Sequence, residues 1–470
     1  MKVRSCLTVA LLLTATNLPA ADEAPTTPRA KNGLEGIWSV TSMQDNGQML
    51  PASRVSLLRF VFSKERLTIR RLDEVIAETS YQADPAQEPA AIDLIYGDQP
   101  TSGIFRIDGD QLTICLGRSV NERPKRFASD ADSASRVLII LQRGDLTPEG
   151  RPLFVIRADG TGLARLARLP KDMMTGSPDW SPDGTHIACD AWRLIHKETY
   201  VAAHILVIRA DGTDVRDLGL GAMPSWSPDS RRIVFCRYRP NRGVWIMDAD
   251  GSHRTLIDSA GWGCDWSPTG SEIVYSAYRP FPNLIVRDVD SGEQRALFEK
   301  KKYRMIYYNM SWSADAKFIA FKGVRSDGTE EIAVVSALGE RHGFWVVLGK
   351  PRGGQPQVGW GAQVAGRKKQ AGDESASSFP RILSLAHMVA WDGTAKSILV
   401  SMRTKTDQAS QLYVVDPKGE QPPLRVPGQP ADRKNFGMAW SPDAKRIVFA
   451  SQMMKPKPKP AGKSGGQRRR

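Results

Sequence analysis

The chain has 470 residues, 41% of them hydrophobic and 25% charged, with a formal net charge of +14. That length exceeds one ordinary core and that composition is neither disordered nor that of a membrane bundle, so two or three globular domains are expected. The charge is concentrated at the ends. Lys2 and Arg4 carry two positive charges and the tail from Lys455 to Arg470 carries seven, which leaves +5 for everything between them.

Residues 1–20 read as a signal peptide. A positive start, an apolar run from Leu7 to Ala15 and the small-residue site LPAA form a removable export signal, too short to span a bilayer. The expected location is periplasmic or secreted, and no later stretch is apolar and long enough to cross a membrane. Cys6 falls within the apolar run. The other four cysteines, Cys115, Cys189, Cys236 and Cys264, lack the spacing of a disulfide framework or a metal knuckle and read as small core residues.

Residues 34–143 read as an all-β unit of eight short strands: GIWSVTSM, VSLLRFVFS, RLTIRRL, IAETSYQ, AAIDLIY, SGIFRID, QLTICLG and RVLIILQR. Their alternation and hairpin-like connections predict a small up-and-down barrel. Gly36-Ile37-Trp38 on the first strand and Arg143 at the end of the last resemble the lipocalin pattern. The resemblance implies that Arg143 stacks on Trp38. Such a barrel either holds a small apolar ligand or is filled by its own side chains.

From residue 151 to 452 one phrase recurs. PDWSPDGTHIAC, PSWSPDSRRIVFC, CDWSPTGSEIVYS, MSWSADAKFIAFK, VAWDGTAKSILVS and MAWSPDAKRIVFA surround Trp180, Trp226, Trp266, Trp312, Trp391 and Trp440, at spacings of 46, 40, 46, 79 and 49 residues. Several short strands per period of about 40–45 residues mark a propeller blade. Within each unit a strand enters the Trp, an SPDG-type turn reverses the chain, and an apolar strand leaves. A second hairpin follows, turning at Gly212, Gly251, Gly292, Gly339 and Gly419. The sixth unit lacks one, while PLFVIRADG with Gly160 precedes the first Trp. Strands from the two ends are therefore expected to share a blade and close a six-bladed ring. The long spacing accommodates a polar loop over 349–381, and residues 453–470 form a basic Pro/Lys tail suited to an anionic surface.

The W-S-P-D-G phrase, its IVF strand and its DADG hairpin resemble the WD-like repeat of TolB-type periplasmic β-propellers. The resemblance implies a protein-docking platform, though similar propellers also serve as peptidase covers and lactonase-like enzymes.

Little in the chain looks catalytic. GKSGG at Gly462–Gly466 matches a nucleophile elbow in letters only, being in the tail. The six histidines lack ligand spacing, and MDADGS at Met247–Ser252 departs from a calcium loop at its twelfth position, Ser259, so a structural turn is expected. No cofactor, metal or specific nucleic acid is indicated.

Four residues before each Trp stand Gly176, Ala222, Trp262, Tyr308, His387 and Phe436. These positions lead toward the central channel, and Tyr307, Asn309, Met310, Met388 and Met438 flank them. Trp262, Tyr307, Tyr308, His387 and Phe436 are the candidate docking residues at the mouth; the competing reading is that they pack between blades. The expectation is a monomeric, non-enzymatic exported protein docking an envelope or secreted partner. The rivals are a metal-dependent propeller hydrolase and ligand binding by the barrel.

Overall fold

The computed structural model describes residues 33–72, 74–96, 99–117, 122–129, 136–147, 149–194, 201–350 and 382–454. The expected export signal over residues 1–20, residues 351–381 and the tail from 455 onward lie outside them. Two compact units divide at Pro148 and Glu149. Apart from one helical turn at Ala52–Val55 and one at Glu340–His342, the regular structure described is strand. The fold is all-β.

The first unit is an eight-stranded closed barrel. Gly36–Asp45, Leu58–Ser63, Arg66–Arg71, Glu74–Asp84, Ala91–Tyr96, Gln99–Asp108, Gln111–Gly117 and Arg136–Arg143 pair in order, each antiparallel to the next. The last strand returns to the first, from Ser39 opposite Gln142 to Asp45 opposite Val137, which removes both sheet edges. Trp38, Phe60, Phe62, Leu112, Ile139 and Leu141 belong to one buried cluster that fills the unit with large side chains. Trp38 is fully buried and donates from Nε1 to the Leu34 carbonyl at 2.6 Å. The Arg143 guanidinium covers its ring at 4.1 Å and donates to the Gly33 carbonyl at 3.0 Å. The expected Trp–Arg pair is present.

The second unit is a six-bladed propeller. Blade one comprises Met173–Trp180, His186–Arg193, His204–Arg209 and Arg216–Leu220; blade two Ala222–Trp226, Arg232–Arg237, Gly243–Asp248 and Thr255–Asp258; blade three Trp262–Trp266, Glu272–Ala277, Asn283–Asp288 and Gln294–Ala296. In blade four the inner strand is broken into Tyr303–Ile306 and Ser311–Trp312, both paired to Phe318–Arg325; Glu330–Ser336 and Phe344–Lys350 complete it. That last strand includes Gly349 and Lys350, so the expected loop cannot begin at 349. Blade five is Ile382–Trp391, Ile398–Thr404, Gln411–Val415 and Leu424–Arg425.

Blade six joins both ends of the unit. Arg433–Trp440 and Arg446–Met453 are followed in space by Leu153–Arg157 and Ala164–Arg165. Leu153 stands opposite Ala450 and Arg157 opposite Arg446. The ring closes as the displaced hairpin implied.

The repeated phrase is turn chemistry. Ser181, Ser227, Ser313 and Ser441 each donate a hydroxyl hydrogen bond to the Asp two residues on and accept one from the backbone N–H five residues on. In blade five Asp392 stands in the serine's place and its carboxylate takes the N–H groups of Thr394 and Lys396. WDGT therefore meets the same need as WSPD. In the second hairpins Asp159, Asp211 and Asp250 accept from the N–H and hydroxyl of the Thr or Ser two residues on. MDADGS is such a turn.

Candidate functional site

Each inner strand approaches its Trp through a register irregularity. In five blades the residue three before the Trp has positive φ: Ser177 at 42°, Met223 at 54°, Gly263 at 62°, Asn309 at 67° and Gly437 at 58°. Such a bulge re-aims the neighbouring side chains. At Gly263 the requirement is doubled, because an added Cβ would come within 2.4 Å of the Tyr308 Cβ. Four of these bulge residues, Ser177, Met223, Asn309 and Gly437, line a cavity of about 290 Å³ at the channel mouth.

Of the six positions four before the Trp, Gly176, Tyr308, His387 and Phe436 line this cavity. Tyr308 and Phe436 are half-buried and His387 is exposed on the rim. Tyr307 does not line it but stacks on the His387 ring, with centroids 4.3 Å apart and planes inclined by 21°. Trp262 is a correction. It is 5% exposed, lies against Tyr238 with centroids 4.1 Å apart, and belongs to the core seam between blades. Its indole is large and apolar enough to be drawn into the seam, leaving Tyr238 to form that part of the wall.

The remaining wall was not read from the sequence. Arg151 puts its guanidinium over both Trp192 at 5.2 Å and Phe436 at 4.6 Å, which links blades one and six. Asp190, 2% exposed, accepts from the Met223 N–H at 3.0 Å and so links blades one and two. Burial pushes its carboxyl upward, against the Met223 N–H, Ser177 and the Arg151 charge. Asn309 donates to Ser177 Oγ at 3.2 Å and joins blade four to blade one. Asp190 and Trp192 follow the Trp phrase on the same strand, His186–Arg193, and Arg151 precedes the strand that starts at Leu153, where no short spacing marks them.

His387 is held neutral. Although part of its ring meets solvent, burial against its neighbours and the Lys322 charge push it down to about 4. Lys322 itself is buried, pairs with Glu330 at 2.9 Å and donates to the Leu385 carbonyl at 2.7 Å. Its ammonium lies 4.6 Å above the Tyr307 ring.

Deeper in the channel, a chamber of about 50 Å³ is lined by the residues that immediately precede the Trp positions. Asp179 accepts from the Trp226 N–H at 2.7 Å, Ser225 from the Trp266 N–H at 3.1 Å, Asp265 from the Trp312 N–H at 2.7 Å and Ser311 from the Trp391 N–H at 3.1 Å. Each side chain thus hooks the next blade. Part of each Asp surface faces the chamber, yet the surrounding protein excludes bulk water. Burial raises Asp179 to about 7; for Asp265, burial and then the Asp179 charge give about 8. Among the described residues, no group of three or more His, Cys, Asp or Glu side chains is placed to hold a metal ion. No described helix is long and apolar enough to cross a membrane.

By repeat and strand pairing this unit is a six-bladed β-propeller. No protein-family profile matches the sequence, and no curated protein matches it. Among solved structures, the chain is similar to a putative TolB from Agrobacterium tumefaciens, at 14% identity and a TM-score of 0.46, covering 66% of this chain and 100% of that one. TolB from Acinetobacter baumannii gives 14% identity and a TM-score of 0.42 over 75% of this chain and 80% of that one. An oligogalacturonate lyase from Vibrio parahaemolyticus gives 11% and 0.38 over 72% and 97%. At such values nothing about activity is drawn from these likenesses, and the blade count rests on the strand pairings.

Proposed function

We propose that this chain is a non-catalytic binding protein, exported to the envelope or beyond, whose TolB-like propeller takes a short segment of a partner protein at the channel mouth. The cavity of about 290 Å³ carries the reading, with its walls of Trp192, Tyr238, Tyr308, Met388 and Phe436. Aromatic and Met side chains around a concave opening favour desolvated contact with a partner's anchor residue. The volume suits one or two side chains rather than a large cofactor. The polar groups of the wall serve the blades: Asp190 holds the Met223 N–H and Asn309 holds Ser177.

The test is a displayed peptide library selected on the full chain, with selected peptides re-measured against Tyr308→Ala and His387→Ala. Tyr308→Ala is expected to weaken them by about thirtyfold, the loss of one anchor worth about 2 kcal/mol. Peptides that bind both variants as well as the unaltered chain would place docking elsewhere. A stoichiometric divalent ion in the purified protein would favour the hydrolase reading instead.

A further inference from the structure

The four cysteines among the described residues are free and buried, but two of them meet across a blade seam. Cys236 lies on Arg232–Arg237 of blade two and Cys264 on Trp262–Trp266 of blade three. Their Sγ atoms are 3.8 Å apart although the residues are 28 positions apart in the chain. Ala222 stands opposite Cys236 in the ladder, so a small side chain adjoins the pair. Cys264 Sγ also points at the Met223 carbonyl, at 3.5 Å, and Met223 lines the mouth cavity. Cys264 borders the axial chamber as well.

We propose that Cys236 and Cys264 are a disulfide-forming pair, a covalent staple between blades two and three. A bonded pair needs a separation of about 2.05 Å, so the two sulfurs must close by about 1.8 Å, a movement that two side-chain rotations can share. In the reaction one thiolate attacks a low-molecular-weight disulfide and releases one thiol. The second thiolate then displaces the remaining thiol from the mixed disulfide. Two protons and two electrons leave the cysteines, and one external disulfide becomes two thiols.

Burial and contact with Cys236 push the Cys264 thiol well above its ordinary range. In the folded seam Cys264 therefore supplies little attacking thiolate. The staple closes while the blades assemble, when the sulfurs still meet water. Once closed it fixes blade two against blade three beside the Met223 wall of the mouth.

The experiment refolds the reduced, unfolded full chain with oxidised and reduced glutathione. Free thiols are then alkylated and the proteolytic peptides weighed. The expected product joins the peptide carrying Cys236 to the one carrying Cys264, with Cys115 and Cys189 alkylated. Its melting temperature should exceed that of the reduced chain by about 5–10 °C, and Cys264→Ser should abolish the difference. Alkylation of both cysteines in the refolded protein, glutathione retained on either, or a link to Cys115 or Cys189 would overturn the proposal. The mass of the unaltered chain decides the matter even if Cys264→Ser fails to fold.

Discussion

Four seams of the propeller are laced by side-chain hooks, from blade one through to blade five, and the two flanking blade six are not. There the residues before the Trp are Ala390 and Ala439, which have nothing to offer the next N–H. The bare seams are sealed by other means. Between blades five and six, buried Asn435 donates to Gln411, Gln429 and the Pro430 carbonyl and accepts from Ser451, while its own carbonyl accepts from Ser401. Between blades six and one, Arg151 lies against Phe436 and Trp192. A repeated architecture does not require a repeated fastening. The blade assembled from two distant segments has its own.

Removing Leu153–Leu169 should have the largest effect. It strips the two outer strands from blade six, exposes the edge of Arg446–Met453 and empties a sector of core that includes Ile156. Loss of one cooperative transition for the whole propeller is expected in a thermal melt. A truncated chain that melts at the original temperature would break the closed ring.

Asn435→Ala and Ser225→Ala compare the two fastenings directly. The first deletes the four side-chain hydrogen bonds at the centre of a buried network and should cost about 3 kcal/mol or more; the second removes one hook and should cost about 1–2 kcal/mol. Denaturant midpoints would measure both. Equal losses would mean that the bare seam depends on the Asn435 network no more than a laced seam depends on its hook.

A smaller effect should appear with pH. Asp179 and Asp265 bind protons more tightly folded, at about 7 and 8, than their ordinary 3.8. Between about pH 4 and 8 the unfolded chain therefore binds fewer protons, and the stability contributed by protonation falls as pH rises. Asp265→Asn keeps an acceptor for the Trp312 N–H without the charge, so its stability should decline less steeply from pH 5 to pH 8. An unchanged slope would show that the Asp265 carboxyl is not protonated in the folded chain.

The sequence was informative where chemistry is local. Alternation exposed all eight barrel strands, and the SPD and DADG turns exposed the blades, because their bonds span two to five residues. The missing last hairpin disclosed the closure. Position relative to the Trp brought Tyr308, His387 and Phe436 to one cavity but misplaced Trp262, since spacing cannot tell whether an aromatic ring faces the opening or folds into the seam. Arg151 and Asp190 remained hidden because they meet Phe436 and Met223 across blades. The Cys236–Cys264 contact was hidden for the same reason. Asp179, Ser225, Asp265 and Ser311 were legible as residues beside each Trp, but their hooks join separate repeats.

The strand Leu153–Arg157 has its partner nearly three hundred residues downstream, at Arg446–Met453. During synthesis the barrel's eighth strand arrives early and that unit can finish. The propeller has to hold an open hydrogen-bonding edge until its final strand emerges. Completion of the ring is thus a length check written into topology: a chain that stops short of residue 446 displays an unsatisfied edge, the kind of surface that chaperones and proteases recognise. Only the full polypeptide conceals it.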